Sequence, residues 1–334
     1  MDTAYTFDDV MFVPQYSDIQ SRSEVKLDSK IGNINLSLPL ISANMADITE
    51  EKMILSMNQQ GGMGIMHRFM TVEENVEMFI NCAVDVPIQK IGVSIGIGEG
   101  GQERFKALHG VGARTFCIDV AHGHHINVRK MLEWINNSFD KSELTVIAGN
   151  VASAEGALDL LTWGANVVKA GVGPGSACQT RENTGVGVPQ LYVLEQIRKY
   201  MPQNTYLIAD GGIKKTGDIA KALKYADAVM MGGFFAGSTE TPGHVFETMN
   251  GDFYKTMAGS ASAEGKTKNG KDKTFVEGGI RQVPFRGHVK YLLDKAKENV
   301  QSSFSYSGAR NIDEFRKKSV LVKISGGGKK ESKL

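Results

Sequence analysis

The sequence predicts an α/β protein of the (β/α)8 class, a TIM barrel carrying a glycine-rich loop and a C-terminal flap. Three observations support this. Short apolar runs recur without a polar face, amphipathic helix-like stretches separate them, and each run ends in polar or glycine-rich residues. The runs are PLISANM (39–45), GGMGIMHR (61–68), KIGVSIG (90–96), TFCIDVAHGH (115–124), TVIAGNV (145–151), NVVKAGVG (166–173), YLIADGGI (206–213) and DAVMMGG (227–233). Strands this apolar belong to a parallel sheet covered on both sides. Between them TEEKMILSMNQQ, QERFKALHG, SAEGALDLLTWG and KKTGDIAKALKYA read as helices, several opening at Ser or Thr or closing at Gly. Eight such units closed into a barrel need roughly 250 residues, which the chain of 334 supplies. An open doubly wound sheet is the alternative arrangement of the same pattern.

Composition narrows the class of function. Hydrophobic residues make up 41% and charged residues 22%, the balance of a soluble globular protein. A net charge of +1 gives no electrostatic reason to expect nucleic acid or an anionic membrane as partner. No apolar run approaches the roughly 20 residues of a membrane span, and the opening MDTAYTFDDV is acidic rather than signal-like. Three cysteines, Cys82, Cys117 and Cys178, make no disulfide framework, so a reducing, cytoplasmic setting is expected. The chain reads as a single domain over 1–323. Its flap covers about 251–287, centred on the aperiodic GSASAEGKTKNGKDKTFVEGG (259–279), and residues 324–334 are expected to be a disordered tail. The terminal Ser332-Lys333-Leu334 matches a peroxisomal address, which makes the peroxisome or glycosome the alternative location.

Barrel topology has a chemical consequence. The polar residues ending the strands (Asn44, His67, Asp119, His122, Asn150 and Asp210) all fall on the C-terminal face, where barrel enzymes work. The glycines ending the last two strands, Gly211-Gly212 and Gly232-Gly233, stand where barrels bind phosphate, because backbone N–H groups reach an anion most closely there. In GVGPGSACQTR, Cys178 sits among glycines with Arg181 beside it, a setting for a reactive thiol on a mobile loop rather than a packed one. Cys82 and Cys117 lie in apolar contexts and read as core. HGHH (122–125) has no cysteine nearby and no structural zinc spacing, so a zinc site is not expected. No GxGxxG follows an early strand, so a dinucleotide would bind outside a Rossmann domain.

GVGPGSACQT resembles the catalytic cysteine loop of the IMP dehydrogenase/GMP reductase family. FDDVMFVPQ, SRSEV (21–25), SANM (42–45), IMHRF (65–69), IDVAHGHH (118–125), VIAGNV (146–151), IADGGI (208–213), MMGGFFAG (230–237) and SYSGAR (305–310) resemble its other landmarks, in order along nearly the whole chain. The resemblance implies a barrel, homotetrameric as a rule, acting at C2 of a purine nucleoside monophosphate. The dehydrogenase branch hydrolyses its covalent adduct with an Arg-Tyr pair on the flap. GSASAEGKTKNGKDKTF contains no such pair and no tyrosine, and HRFMTVEENVEMF leads directly into the third strand, leaving no room for a CBS pair. Both features resemble the reductase branch, which turns GMP into IMP and ammonia with NADPH. TFVEGGIRQVPFRG (274–287) resembles the dehydrogenase branch at least as well, which keeps oxidation of IMP with NAD as the alternative. A purine-nucleotide sensor without catalysis is the third reading.

The roles implied follow residue by residue. Cys178 is the nucleophile, and Thr180 with Glu277, or alternatively Glu264, supplies the acid that ammonia needs to leave. Asp210 holds the ribose hydroxyls; Ser176, Gly212, Gly233 and Tyr254 hold the phosphate; Gly259 and Ser260 meet the base edge. Asp119 and Asn150 face the nicotinamide end of NADPH, while Ser21, Arg22 and Arg68 take its 2′-phosphate, the first two from a neighbouring subunit if need be. Carbonyls of Gly171, Gly173 and Cys178 are expected to coordinate K+.

Overall fold

The computed structural model describes residues 3–176, 178–258 and 280–331. Eight parallel strands close into a barrel: β1 (Leu40–Ser42), β2 (Met63–Met66), β3 (Ile91–Ile95), β4 (Thr115–Asp119), β5 (Thr145–Val151), β6 (Val167–Ala170), β7 (Tyr206–Asp210) and β8 (Ala228–Met231). Closure is parallel pairing of β8 with β1, Val229 opposite Leu40 and Met231 opposite Ser42. Each predicted apolar run contains one of these strands. Most of their residues are buried because helices cover the outside while side chains fill the inside.

The covering helices are α1 (Glu51–Gln59), α2 (Val72–Ala83), α3 (Gly98–Gly110), α4 (Ile126–Ser138), α5 (Ala154–Thr162), α6 (Gln190–Tyr200), α7 (Thr216–Leu223) and α8 (Val289–Tyr306). Local chemistry sets several starts. Thr71 and Glu74 form a reciprocal capping box on α2, and the Ser153 hydroxyl accepts from Gly156 N–H at the head of α5. His125 Nδ1 accepts from Asn127 N–H to cap α4, while His124 Nε2 lies 2.8 Å from Asp159 Oδ2. Two of the three histidines in HGHH thus have structural partners.

Two apolar layers result. Inside the barrel are Ile41, Ile65, Cys117, Ile147, Val167, Ile208 and Met230, plugged from below by Ile31, Ile34 and Leu36 of a hairpin. The larger layer lies between strands and helices, around Phe79, Phe105, Phe116, Leu132 and Leu194.

The flap gains definition at its ends, and one terminal expectation changes. The strands Phe253–Ala258 and Ile280–Pro284 pair antiparallel from Tyr254–Pro284 to Ala258–Ile280, with Phe246–Glu247 on the outer edge. The ends of the flap are therefore ordered sheet, while residues 259–279 lie outside the described residues. The tail does not lose structure at 324. Val320–Lys323 pairs with Val10–Val13, Ile324 N–H donates to Asp9 O, and Gly326–Glu331 forms a short helix whose Lys329 ammonium reaches Asp9. An acidic anchor 320 positions away gives the lysine-rich tail its partner. Residues 332–334, with the terminal SKL, lie outside the described residues.

Candidate active site

A cavity of about 420 Å³ opens at the C-terminal ends of the strands. Its walls bring together Ser176, Cys178, Thr180, Asp210, Gly212, Gly233, Arg68, Asp119 and Asn150, together with Gly171 and Gly173. Strand ends on opposite sides of one chain thus meet where barrel topology places them.

The rim on the β6 side is the cysteine loop. Cys178 is exposed, its N–H donates to Gly175 O at 3.1 Å, and its thiol hydrogen-bonds the Thr180 hydroxyl at 3.1 Å. Thr180 opens the short helix Thr180–Thr184, which directs its side chain back to the sulfur. Glycine is required here by contact as well as by conformation. At Gly171, with φ of 145°, a Cβ would lie 2.0 Å from Asp210 O; at Gly173, with φ of 87°, it would lie 2.7 Å from Arg181 Cγ. Arg181 crosses the inside of the loop and donates to Val188 O, while Arg281, from the flap strand, donates to Ser176 O. Burial pushes the Cys82 and Cys117 thiols up to about 12, so at neutral pH both stay protonated in the core, as their apolar settings predict.

Ser176 and the glycines expected to hold phosphate meet at one corner. A Cβ on Gly233 would meet Ser176 Oγ at 2.6 Å, and Gly211 and Gly212 both take positive φ beside Pro174. Close approach and positive φ thus call for glycine there. Met45 and Met257 flank Gly232 and give this wall an apolar surface.

The floor is polar and buried. Lys169 is 3% exposed, and its ammonium lies 2.5 Å from Asp210 Oδ2 and bonds Asn150 Oδ1. Burial opposes the charge, yet Asp210 beside it holds the Lys169 pKa above the ordinary lysine value. Gln190, buried at the head of α6, donates to Ala170 O at 2.8 Å and Asp210 O at 3.3 Å, tying β6 to β7. Opposite, Arg68 Nε lies 3.3 Å from Asp119 Oδ2 and its Nη2 donates to Asp119 O at 3.1 Å.

Some expected residues stand elsewhere. His67 is 2% exposed and turned into the fold: its Nδ1 accepts from Phe69 N–H and its Nε2 lies 3.2 Å from Glu50 Oε1. Tyr254 stacks on Phe246, with centroids 5.5 Å apart, and does not line the cavity. Ser21 and Arg22 belong to a short turn packed against α8, apart from the cavity of their own chain. The Gly171 carbonyl accepts from Asn150 Nδ2 at 2.8 Å, so it faces the floor. Of the three carbonyls expected around K+, this one is engaged by an amide. For NADPH, Asp119, Asn150 and Arg68 meet in one cavity, but Arg68 is already paired with Asp119. Glu277, Glu264, Gly259 and Ser260 lie outside the described residues.

Lys169, Gln190, Met257 and Arg281 were not singled out by sequence reasoning. Lys169 carried a signal: a lysine inside the apolar run NVVKAG must be paired if the strand is buried.

Residues 4–334 match the family model described as "IMP dehydrogenase / GMP reductase domain". The GMP reductase of Lactobacillus delbrueckii subsp. bulgaricus is 35% identical over 326 residues, covering 96% of this chain and 94% of the relative. The inosine-5′-monophosphate dehydrogenase of Borreliella burgdorferi is 31% identical over 391 residues, covering 98% and 96%. Among solved structures, Trypanosoma brucei GMP reductase in complex with guanosine 5′-monophosphate superposes with a TM-score of 0.93 at 24% identity, over 100% of this chain and 98% of the other.

Proposed function

Because the chain belongs to the IMP dehydrogenase/GMP reductase family, we propose that it is a GMP reductase, converting GMP to IMP and ammonia in purine nucleotide interconversion. The observation that carries the reading is the exposed Cys178 thiol, 3.1 Å from the Thr180 hydroxyl at the mouth of the cavity. The flap sequence favours the reductase over the dehydrogenase: 259–279 has no Arg-Tyr pair to activate a hydrolytic water.

The residues divide the work as follows. The Cys178 thiolate adds to C2 of the purine, and the electron pair of the C2–N bond leaves with the amino group as that nitrogen gains a proton. Thr180 stands beside the sulfur to relay the proton, with Glu277, or alternatively Glu264, as its source. The adduct at this point is a thioimidate between Cys178 and the purine. NADPH, when bound, supplies the hydride that replaces the departed amino group, and the sulfur is then released as thiolate. Ser176, Gly212 and Gly233 hold the phosphate through donors that converge on one corner, and Asp210 takes the ribose. Asp119 faces the nicotinamide side, and Arg68, expected at the 2′-phosphate, is paired with Asp119 within its own chain. Ser21 and Arg22 reach a 2′-phosphate only across a subunit boundary, which fits a homotetramer. The Gly173 and Cys178 carbonyls are the members of the expected set left to face K+.

Two assays test the reading. GMP with NADPH should give a fall in absorbance at the nicotinamide band and release ammonia, while IMP with NAD should give no turnover. Turnover in the second assay alone overturns it in favour of the dehydrogenase.

A further inference from the structure

Three neighbouring strands carry one polar cluster: Asn150 lies near the end of β5, the buried Lys169 on β6, and Asp210 ends β7. At Gly149 the chain runs so close to β6 that a Cβ would lie 2.3 Å from Lys169 O, and the strand register shifts between Gly149 and Val151. Such an irregularity re-aims a side chain. Here it brings the Asn150 amide onto the cluster, where both its N–H donors and one lone pair of its oxygen are used. Its Nδ2 donates to Gly171 O at 2.8 Å and to Asp210 Oδ2 at 2.9 Å, and its Oδ1 accepts from the Lys169 ammonium.

The carboxylate is shared unequally. Asp210 Oδ2 receives both Lys169, at 2.5 Å, and Asn150. No hydrogen bond to Asp210 Oδ1 is made among the described residues, and Asp210 lines the cavity. Two donors from two different strands fix one oxygen, so the carboxylate cannot rotate, and the other oxygen is left for a ligand.

From this we propose that Lys169 and Asn150 are positioning residues for Asp210, which meets the ribose through Oδ1 alone, and that Asn150 serves sugar recognition instead of the cofactor. The inference rests on the reading that Asp210 holds the nucleotide ribose. A diol then shares a single charged oxygen, and preference for ribo- over 2′-deoxynucleotide depends on keeping that oxygen aimed. An amide whose two N–H bonds are both taken has no donor left for the carbonyl of a nicotinamide carboxamide.

The test uses the full-length protein and calorimetric titration with GMP and 2′-deoxy-GMP, together with the KM for NADPH. Wild type should bind GMP more tightly than 2′-deoxy-GMP. Asn150→Ala and Lys169→Met should each weaken GMP binding about 10-fold or more and 2′-deoxy-GMP binding about 3-fold or less, so that the preference shrinks; losing an aimed charged hydrogen bond has that size. The KM for NADPH should stay within about 2-fold in Asn150→Ala. Lys169→Met leaves a half-buried carboxylate without its counter-ion; should it fail to fold, Asn150→Ala, which removes no charge, decides alone. A rise in the KM for NADPH with the ribose preference intact returns Asn150 to the cofactor and overturns the proposal, as does a wild type without ribose preference. Wild-type protein that binds neither GMP nor IMP overturns the nucleotide reading itself.

Discussion

Lys169 and Cys178 stand nine positions apart on one stretch of chain, yet they belong to regions built on opposite plans. Lys169 is part of the floor: 3% exposed, on the strand between those of Asn150 and Asp210, with every contact made to a neighbouring strand. Cys178 is part of the rim: exposed, hydrogen-bonded to one hydroxyl among the described residues, on a loop braced from within by Arg181 and from the flap strand by Arg281. The floor is positioned by the barrel itself, and closing the barrel assembles it. The rim is positioned by side chains that could be exchanged without altering any strand. Recognition of the unchanging sugar suits the first, and chemistry that differs between relatives suits the second.

The largest expected effect isolates the rim. Cys178→Ala should lower turnover by about 10³-fold or more while GMP still binds, because removing a nucleophile removes a step that binding groups cannot replace. No other cysteine can stand in, since burial holds the Cys82 and Cys117 thiols at about 12. The companion measurement is alkylation of the native protein at neutral pH, read by peptide mass spectrometry. Cys178 should be modified alone; wild-type activity in Cys178→Ala, or equal labelling of Cys117, would break the contrast between reactive rim and inert core.

A smaller effect tests where rim becomes floor. Gly171 has φ of 145°, and a Cβ there would lie 2.0 Å from Asp210 O, whereas among the described residues a Cβ on Gly175 meets only Cys178 Cβ, at 3.5 Å. Gly171→Ala should therefore cost about 3 kcal/mol or more through strain and overlap with backbone that cannot yield. In a chain this size that lowers Tm by several degrees, roughly 5–10 °C. Gly175→Ala should stay within about 1 kcal/mol. Differential scanning calorimetry of the two variants checks the ranking, and equal losses would mean the loop is as tightly held at 175 as at 171.

The sequence exposed these two regions unequally, for a physical reason. Strands buried on both faces must be apolar throughout, so all eight runs were visible, and their order alone placed Asp119, Asn150 and Asp210 on one face. The cysteine loop was visible because it breaks that rule with glycine and proline. Composition could not show pairing. That Asn150 is consumed by Lys169 and Asp210 depends on a register shift at Gly149, and Arg281 reaches Ser176 only because 280–284 is a strand. The tail was misread because its lysines and glycines resemble a solvated end, and its anchor, Asp9, lies at the other terminus.

That anchor offers the smallest effect and a control distant from both regions. Burial alone would raise the Asp9 pKa, but hydrogen bonds from Lys329 and from the Thr6 side chain and backbone hold its carboxyl at about 2, against an ordinary 3.8. A group with its pKa lowered on folding stabilises the native state fully above the ordinary value, and loses that contribution as pH falls from there through the lowered one. The limit is about 2 kcal/mol, and with Lys329 40% exposed solvent screening brings it nearer 1 kcal/mol. Asp9→Asn should be less stable than wild type by about that amount at pH 7. The gap should narrow between pH 4 and pH 2, as measured by urea unfolding, while GMP turnover at pH 7 stays unchanged. A gap that persists undiminished at pH 2.5 would mean the terminal clasp is held by the pairing of 10–13 with 320–323 and owes nothing to the Asp9 charge.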